Sequence, residues 1–255
     1  RRIGEHLGHP GRLTHSIEVA QVARTVASAL GLNSTLAEAL SLSHDLGHTP
    51  FGHLGEEVLS VLMRAHGGFN HNRQSLRIVD QLEDRYPEFR GLNLTYELRE
   101  GIVKHSGLPD IAHFPEAGEY APAVPPPLEA QMIDIADEIA YQHHDVDDGI
   151  ESGLLDPEFL AENIPVWGEA WREAHARYPT AARRQHVTVA LRRMIDRLVT
   201  DLVESSRAAI EAARFASVDE VRAQKGMLMG LSAPMARGNL ALKKLLHQHL
   251  YRHHH

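Results

Sequence analysis

The chain has 255 residues, a formal net charge of -8 and no cysteine. The absence of cysteine excludes disulfides, thiolate metal sites and a cysteine nucleophile, and it agrees with the cytoplasmic location that we expect. Hydrophobic content of 43% and charged content of 24% are typical of a globular protein, and no apolar stretch is long enough to span a bilayer. The negative charge also argues against a chain-wide nucleic-acid surface.

The sequence at each end of the chain bears on the search for a site. The chain begins without methionine, so we expect native sequence before Arg1. The final YRHHH is either a trimmed affinity tag or native sequence, and His253–His255 are therefore left out of every site.

Helical spacing dominates the first part of the chain. Apolar residues recur every three or four positions over residues 17–30, which predicts a first helix. Thr35 and Glu38 have the spacing of a capping box, so a second helix should run from there towards Asp45. Pro50 and its neighbouring glycines, in the segment 47–52, then break the helical pattern.

The rest of the chain also favours helices, with no convincing β-alternation. The segment PEAGEYAPAVPPP at 115–127 is predicted to be a loop, because prolines cannot sustain helical hydrogen bonding. Further helices are predicted through residues 58–62, over 72–83, after Asn93, over 128–148, and over 187–210 as the longest. The sequence therefore predicts an all-α protein: a compact multi-helix core with a C-terminal helical extension.

The dipeptide His44-Asp45 is the first candidate for chemistry. A neutral imidazole and a carboxylate form an N/O donor pair, and one more of each would hold a divalent metal with positions left open for water and substrate. His15 and Asp137 lie upstream and downstream as candidates for the other two. The alternative is a pair of polar residues at a helix end.

The predicted helix 128–148 has a polar face around Asp137. At about 100° per residue, Tyr141 falls near ~40°, Asp145 near ~80° and Asp134 near ~60° from Asp137. Lys and Arg are absent from this face, so its carboxylates repel one another unless a cation or a hydrogen-bond donor neutralises them. We therefore favour a metal or ligand face over a solvated one.

The loop after the dipeptide carries a second cluster. His48 and His53 flank a Pro-Phe-Gly turn, and Glu56 follows His53 by one helical turn. A Glu at that spacing can orient the imidazole and prepare it to donate a proton. In isolation, each of these residues, and also His71 and the pair Lys104-His105, is more typical of a structural or surface position.

Five blocks of the sequence together resemble a known family. They are RLTHS, HDLGHTPFGH, FNHNRQSLRIV, LNLTYELREGIVKHS and EAQMIDIADEIAYQHHDVDDG. This ordered series is similar to the deoxynucleoside triphosphate triphosphohydrolases, or dGTPase-like enzymes, of the HD superfamily. The resemblance implies an all-α HD fold, with residues 1–150 as the metallophosphohydrolase core and 151–255 as a helical region packed on it in one continuous domain.

The resemblance also implies roles for individual residues. One divalent metal would be held by His15, His44, Asp45 and Asp137. The catalytic group would comprise His53, supported by Glu56, together with His48. The substrate-binding group would comprise Arg12, His71, Lys104, Tyr141 and Asp145, with Asp145 accepting a hydrogen bond from the 3′-hydroxyl. Asn70 departs from the family pattern, where an acidic residue is expected before the histidine.

The implied reaction is hydrolysis of a dNTP to deoxynucleoside and inorganic triphosphate. Mixed N/O ligation suits Mn, Fe, Co or Ni, and Mg is less suited to two imidazoles. The expected partners are the dNTP substrate, a regulatory dNTP and further copies of the chain, without membrane or nucleic acid. Two alternatives stay open: another HD phosphohydrolase acting on nucleoside monophosphates, cyclic nucleotides or alarmones, and a non-catalytic nucleotide-sensing or single-strand-binding HD protein.

Overall fold

The computed structural model describes residues 9–251, and it describes side chains for residues 13–52 and 54–251. The α-helices are α1 His9–Leu30, α2 Ser34–Ser43, α3 Gly52–Leu62, α4 His71–Arg77, α5 Tyr96–Val103, α6 Leu128–Glu151, α7 Pro157–Asn163, α8 Pro165–Arg177, α9 Arg183–Ala213, α10 Val218–Arg222 and α11 Ala233–Leu246. Short 3₁₀ helices span Arg64–His66 and Pro115–Tyr120, and π-helical turns span Ile78–Leu82 and His247–Tyr251. No β-strand forms in residues 9–251, which confirms the all-α prediction.

Two packing units divide the chain. One contains Arg1–Asp137 and Ile210–Leu228, and the other contains Glu138–Ala209 and Met229–His255. Helices α6 and α9 each contribute residues to both units. The predicted domain boundary at residue 150 stays a prediction.

The core of the first unit follows the apolar periodicity of the sequence. Val19, Ala23 and Val26 lie on one face of α1 and are fully buried where α1 packs on α2. Leu40 of α2 is buried in the same unit. Burying an aliphatic side chain of this size contributes roughly 1.5–3 kcal/mol, so this packing fixes the two helices that carry His15 and His44.

A second cluster of buried residues supports the other side of the candidate site. It combines α4, α5 and the segment before α6, and its members are Leu76, Val79, Ile102, Val103, Phe114, Ala117 and Tyr120. Because α4 and α5 pack here, the residues at their ends, His71 and His105, have fixed backbone positions.

The second unit has its own core. Helix α8 packs on α7 and α11, and Trp167 of α8 is fully buried with its indole N–H donating to the carbonyl of Pro157 at 3.0 Å. Helix α9 buries Leu198 and Leu202, as its periodicity predicts. No described helix combines the length and apolar character needed to cross a membrane.

Two local predictions were wrong. Helix α2 begins at Ser34 because the side chain of Asn33 accepts the Leu36 N–H at 3.0 Å, so Asn33 takes the N-cap position predicted for Thr35. Residues 115–120 of the predicted loop form a 3₁₀ helix, because Pro115 stands in its first turn, where no N–H is needed.

Candidate metal centre

Three helices bring the predicted metal ligands together. His15 lies within α1, His44 caps the C-terminus of α2 in helical conformation, and Asp137 lies within α6. The backbone N–H of His44 donates to the Leu40 carbonyl at 2.9 Å, so His44 still follows the helical path of α2. This path places its side chain in the protein interior, where His44 is 1% exposed.

The donor atoms lie at distances that suit one ion. Nε2 of His15 is 2.7 Å from Oδ1 of Asp137, and Nε2 of His44 is 3.6 Å from the same oxygen. Oδ1 of Asp45 is 3.7 Å from Nε2 of His44. Two ligands with bonds of about 2.0–2.2 Å to one ion are at most about 4.4 Å apart, so the separations of His15 and His44 from Asp137 fit a shared coordination sphere. Asp45 lies close to His44 but forms no group with His15 and Asp137 among the described residues, so its place in the same sphere stays a prediction.

The tautomer of His44 also fits a metal ligand. Its Nδ1 lies 2.7 Å from the carbonyl oxygen of Ser41, a contact that requires a proton on Nδ1. Nε2 therefore carries the lone pair, and this buried atom has no hydrogen-bond partner among the described residues. A ligating imidazole with its other N–H on a backbone carbonyl is the arrangement that metalloproteins use.

The carboxylates give this centre surroundings that favour positive charge, whether a proton or a metal ion carries it. Burial would raise the pKa of Asp137, but its close contacts with His15 and His44 outweigh burial and hold that pKa well below its usual range. Burial opposes a charge on His44, yet the contact with Asp137 and the charge of Asp45 raise the pKa of His44 above its ordinary value. Asp137 is thus an ionised carboxylate at neutral pH, as a ligand must be.

His48 and His71 form a second group beside Asp45. Their rings stack with centroids 4.3 Å apart, and Nε2 of His48 is 3.8 Å from Oδ1 of Asp45. Donor atoms of Asp45, His48 and His71 all lie within 4.8 Å of one another. The structure therefore brings His48 and His71 to the predicted metal dipeptide.

Glu56 binds His71, a pairing that the sequence analysis missed. Its carboxylate accepts the backbone N–H of His71 at 2.8 Å and contacts Nδ1 of the same residue at 2.9 Å. Burial would raise the pKa of Glu56, but these contacts with His71 lower it overall. The spacing between Glu56 and His71 is 15 residues, which no helical pattern could reveal.

Two predicted residues lie outside the described side chains. The backbone of Arg12 belongs to α1 and that of His53 to α3. Their side chains are not among those described, so the phosphate contact of Arg12 and the pairing of His53 with Glu56 stay predictions.

Lys104, which was predicted to bind substrate, lies in a buried ion pair. Its ammonium is 2.7 Å from Oε1 of Glu100, and both side chains are fully buried. Arg222 approaches the other carboxylate oxygen of Glu100 at 2.6 Å. Because Lys104 is buried in this ion-pair network, it is unsuited to contact a substrate, and the proposal below does not use it.

Tyr141 and Asp145 lie on α6 within the second packing unit. The ammonium of Lys243 is 6.0 Å from the ring centre of Tyr141, and burial raises the pKa of Tyr141. The hydroxyl of Tyr251 donates to the carboxylate of Asp145. The sequence analysis did not assign Tyr251, because 106 positions separate it from Asp145 and no local pattern relates the two.

Comparison with known proteins identifies the class. Residues 12–142, just over half of the chain, match the HD domain family. The chain therefore belongs to the HD domain family, whose name comes from the dipeptide represented here by His44-Asp45. This agrees with the clustering of His15, His44 and Asp137 in the structure.

Curated relatives narrow the comparison within that family. The chain is 49% identical over 243 residues to a protein of Ralstonia nicotianae, 49% identical to one of Thiobacillus denitrificans and 46% identical to one of Geobacter sulfurreducens. Each is named deoxyguanosinetriphosphate triphosphohydrolase-like protein. Each match covers 95% of this chain but only 62–64% of the relative's length. The matches confirm the resemblance that the five sequence blocks predicted.

Proposed function

We propose that this chain carries the metal centre of a phosphohydrolase that converts deoxynucleoside triphosphates to deoxynucleosides and inorganic triphosphate. The observation that carries the proposal is the convergence of His15, His44 and Asp137 from three helices, with Asp45 beside them. The names of the relatives support the substrate class.

The metal would be held by His15, His44, Asp45 and Asp137. When bound, a divalent ion supplies positive charge for an α-phosphate oxygen and makes a water molecule more acidic. Two imidazoles and two carboxylates suit Mn²⁺, Fe²⁺, Co²⁺ or Ni²⁺ better than Mg²⁺. The protein's part is to keep His44 in the required tautomer and Asp137 ionised.

The neighbouring residues would bind and protonate the substrate. His48 and His71 lie next to Asp45, and Glu56 fixes the ring of His71, so this pair is placed to contact phosphate oxygens. We assign to His53 the proton that the departing 5′-oxygen of the deoxyribose needs, a role worth typically about 10²–10⁴-fold in rate. The resemblance adds a phosphate contact from Arg12.

The sugar-binding role of Tyr141 and Asp145 belongs to the same proposal. An ionised Asp145 accepts hydrogen bonds, which suits a 3′-hydroxyl donor, and Tyr251 already donates to it. Tyr251 therefore joins the proposed sugar-binding residues. The cytoplasmic location, the homo-oligomer and the regulatory dNTP stay predictions.

A product assay tests the proposal. The purified chain would be incubated with each of the four dNTPs and Mn²⁺, Co²⁺, Ni²⁺ or Mg²⁺, and the products separated by anion-exchange chromatography. We expect deoxynucleoside and inorganic triphosphate in equal amounts. In ¹⁸O-labelled water, attack at the α-phosphorus should place the label in triphosphate and leave the deoxynucleoside unlabelled.

Other outcomes would contradict the proposal in distinct ways. Release of orthophosphate or pyrophosphate would indicate another HD phosphohydrolase activity. Nucleotide binding without any turnover, with every metal, would indicate a sensing protein. The His44→Ala variant is the control, because it should remove turnover that depends on this centre.

A further inference from the structure

His105 is a buried histidine at the end of α5 to which no role has been assigned. Its side chain is 4% exposed, and its Nδ1 lies 2.6 Å from Oδ1 of Asp134. Asp134 is one of the carboxylates that share the polar face of α6 with Asp137. Nδ1 makes no hydrogen bond among the described residues, so the contact with Asp134 limits the rotation of the buried ring by proximity.

The backbone around His105 is held as firmly as its ring. The carbonyl of His105 accepts a hydrogen bond from Nδ2 of Asn72 at 2.7 Å. Ser106 has φ of 60°, in the left-handed region that a serine rarely adopts, and its N–H donates to Oδ1 of Asp134 at 3.0 Å. Asp134 thus bonds the backbone of Ser106, a residue with positive φ, and contacts the ring of His105 beside it.

The ring of His105 contacts the metal centre directly. It meets the ring of His44 edge-on, with centroids 4.7 Å apart and planes at 72°. A ring nitrogen of His105 also lies within 4.8 Å of donor atoms of both His44 and Asp45. Among the described residues, His15 and Asp137 form a separate group with His44. Because Nδ1 of His105 faces Asp134, we treat His105 as a neighbour of the ligands rather than as one of them.

We infer that His105, oriented by Asp134, is a positioning residue of the metal centre. It fixes the ring of His44 by edge-on packing and restricts the space around the carboxylate of Asp45. Both ligands therefore keep the geometry that the ion requires before it binds. The inference rests on the metal-binding part of the proposed function and is independent of the substrate.

A comparison of conservative variants tests this inference. Loss of an outer-sphere partner typically weakens metal binding by about 10–100-fold. We expect that loss for His105→Ala and Asp134→Asn, with one ion still bound per chain, and a smaller loss for His105→Gln, which keeps a polar side chain. His66→Ala, an exposed histidine, is the matched control and should bind as the wild type does.

The measurements separate positioning from folding and from catalysis. Isothermal titration with Co²⁺ or Mn²⁺, without nucleotide, gives affinity and stoichiometry. The visible spectrum of bound Co²⁺ reports its geometry and should change in His105→Ala and Asp134→Asn. Thermal unfolding of the metal-free variants identifies any that fail to fold. If His105→Ala fails to fold, the metal affinities of His105→Gln and Asp134→Asn test the inference.

Three results would overturn the inference. They are affinities within about twofold of the wild type for all folded variants, an unchanged Co²⁺ spectrum, and a stoichiometry that falls from two ions to one on loss of His105. If the His105 variants lose metal affinity as expected but the wild-type chain hydrolyses no dNTP, the proposed substrate is wrong and the inference about His105 still holds.

Discussion

Nε2 of His15 lies 2.7 Å from Oδ1 of Asp137, although 122 positions separate the two residues in the chain. This contact joins α1 to α6 and pairs two proposed ligands with each other. A bound ion would replace the contact with two metal–ligand bonds, so the ligands need to move little. The centre is in this sense pre-organised.

The first prediction concerns the ligands themselves. His44→Ala and Asp45→Ala should each abolish metal binding and turnover together, because His44 presents a buried lone pair on Nε2 and Asp45 lies 3.7 Å from it. Metal content after dialysis and dNTP turnover are the two measurements. His66→Ala serves as the control. Stoichiometric metal with full activity in either variant would contradict the proposed site.

Helices of this centre could be predicted because a helix is indicated by the pattern of residues close together in the sequence. The polar face of α6 is read from neighbouring positions, so Asp137 could be assigned to a helix. The apolar periodicity predicted the first helix only over residues 17–30, whereas α1 begins at His9 and so includes His15. Their meeting with His44 depends on tertiary packing, and it was implied by the resemblance alone.

Several contacts of the predicted site residues depend on tertiary packing and were not anticipated from the sequence. Lys104 looked available to a substrate, but its partner Glu100 and the more distant Arg222 form a buried network with it. Glu56 was assigned to His53 by helical spacing, and the structure shows a further pairing with His71. Propensity and periodicity do not encode such long-range pairs.

The second prediction concerns His53. His53→Ala should keep metal affinity but slow the chemical step by at least about 10²-fold, because the departing 5′-oxygen loses its proton donor. Single-turnover kinetics with saturating metal measure that step. An unchanged single-turnover rate would exclude His53 from the role, and loss of metal would show that the residue acts on the centre instead.

The third prediction concerns the buried ion pair of Lys104. Lys104→Met leaves the buried carboxylate of Glu100 with Arg222 alone, and breaking a buried pair costs about 3–5 kcal/mol. We expect a loss of free energy of unfolding near the lower end of that range, because Arg222 remains. Urea denaturation measures it, with the exposed Lys244→Met as control. A raised KM with unchanged stability would instead support the original assignment of Lys104 to substrate binding.

The fourth prediction concerns pH. Contacts with His71 lower the pKa of Glu56 below its ordinary value of 4.5. The ionised form therefore stabilises the folded chain above the unfolded pKa, and this contribution is lost as the pH falls through the folded pKa. The difference in free energy of unfolding between the wild type and Glu56→Gln should be largest near neutral pH and should shrink towards acid.

Urea titrations from neutral pH to about pH 3 would measure that difference, over the interval where carboxyl groups titrate. Glu57→Gln, at the exposed neighbouring position, is the control and should show little pH-dependent difference. A gap between wild type and Glu56→Gln that stays constant across the whole range would contradict the pairing of Glu56 with His71.

The last prediction concerns Gly47, which lets α4 approach the loop after Asp45. A Cβ at this position would lie 2.3 Å from the carbonyl oxygen of His71 and 2.4 Å from the backbone nitrogen of Ser75. Both contacts are with backbone, so side-chain rotation cannot relieve them and α4 itself must move. Ser75 also bonds the Gly47 N–H and the His44 carbonyl, at 2.8 and 3.1 Å, so the displacement would reach the metal centre.

Gly47→Ala should therefore lower the free energy of unfolding by about 1–3 kcal/mol, the usual cost of overpacking. It should also weaken metal binding, since His44 and His71 are both tied to the displaced segment. Gly118→Ala is the control, because a Cβ there meets no heavy atom within 4 Å. Denaturant unfolding and metal titration of both variants provide the comparison. Equal stability and equal metal affinity in Gly47→Ala and Gly118→Ala would show that α4 and the loop after Asp45 are not in close contact. The placement of His71 beside Asp45 would then be wrong.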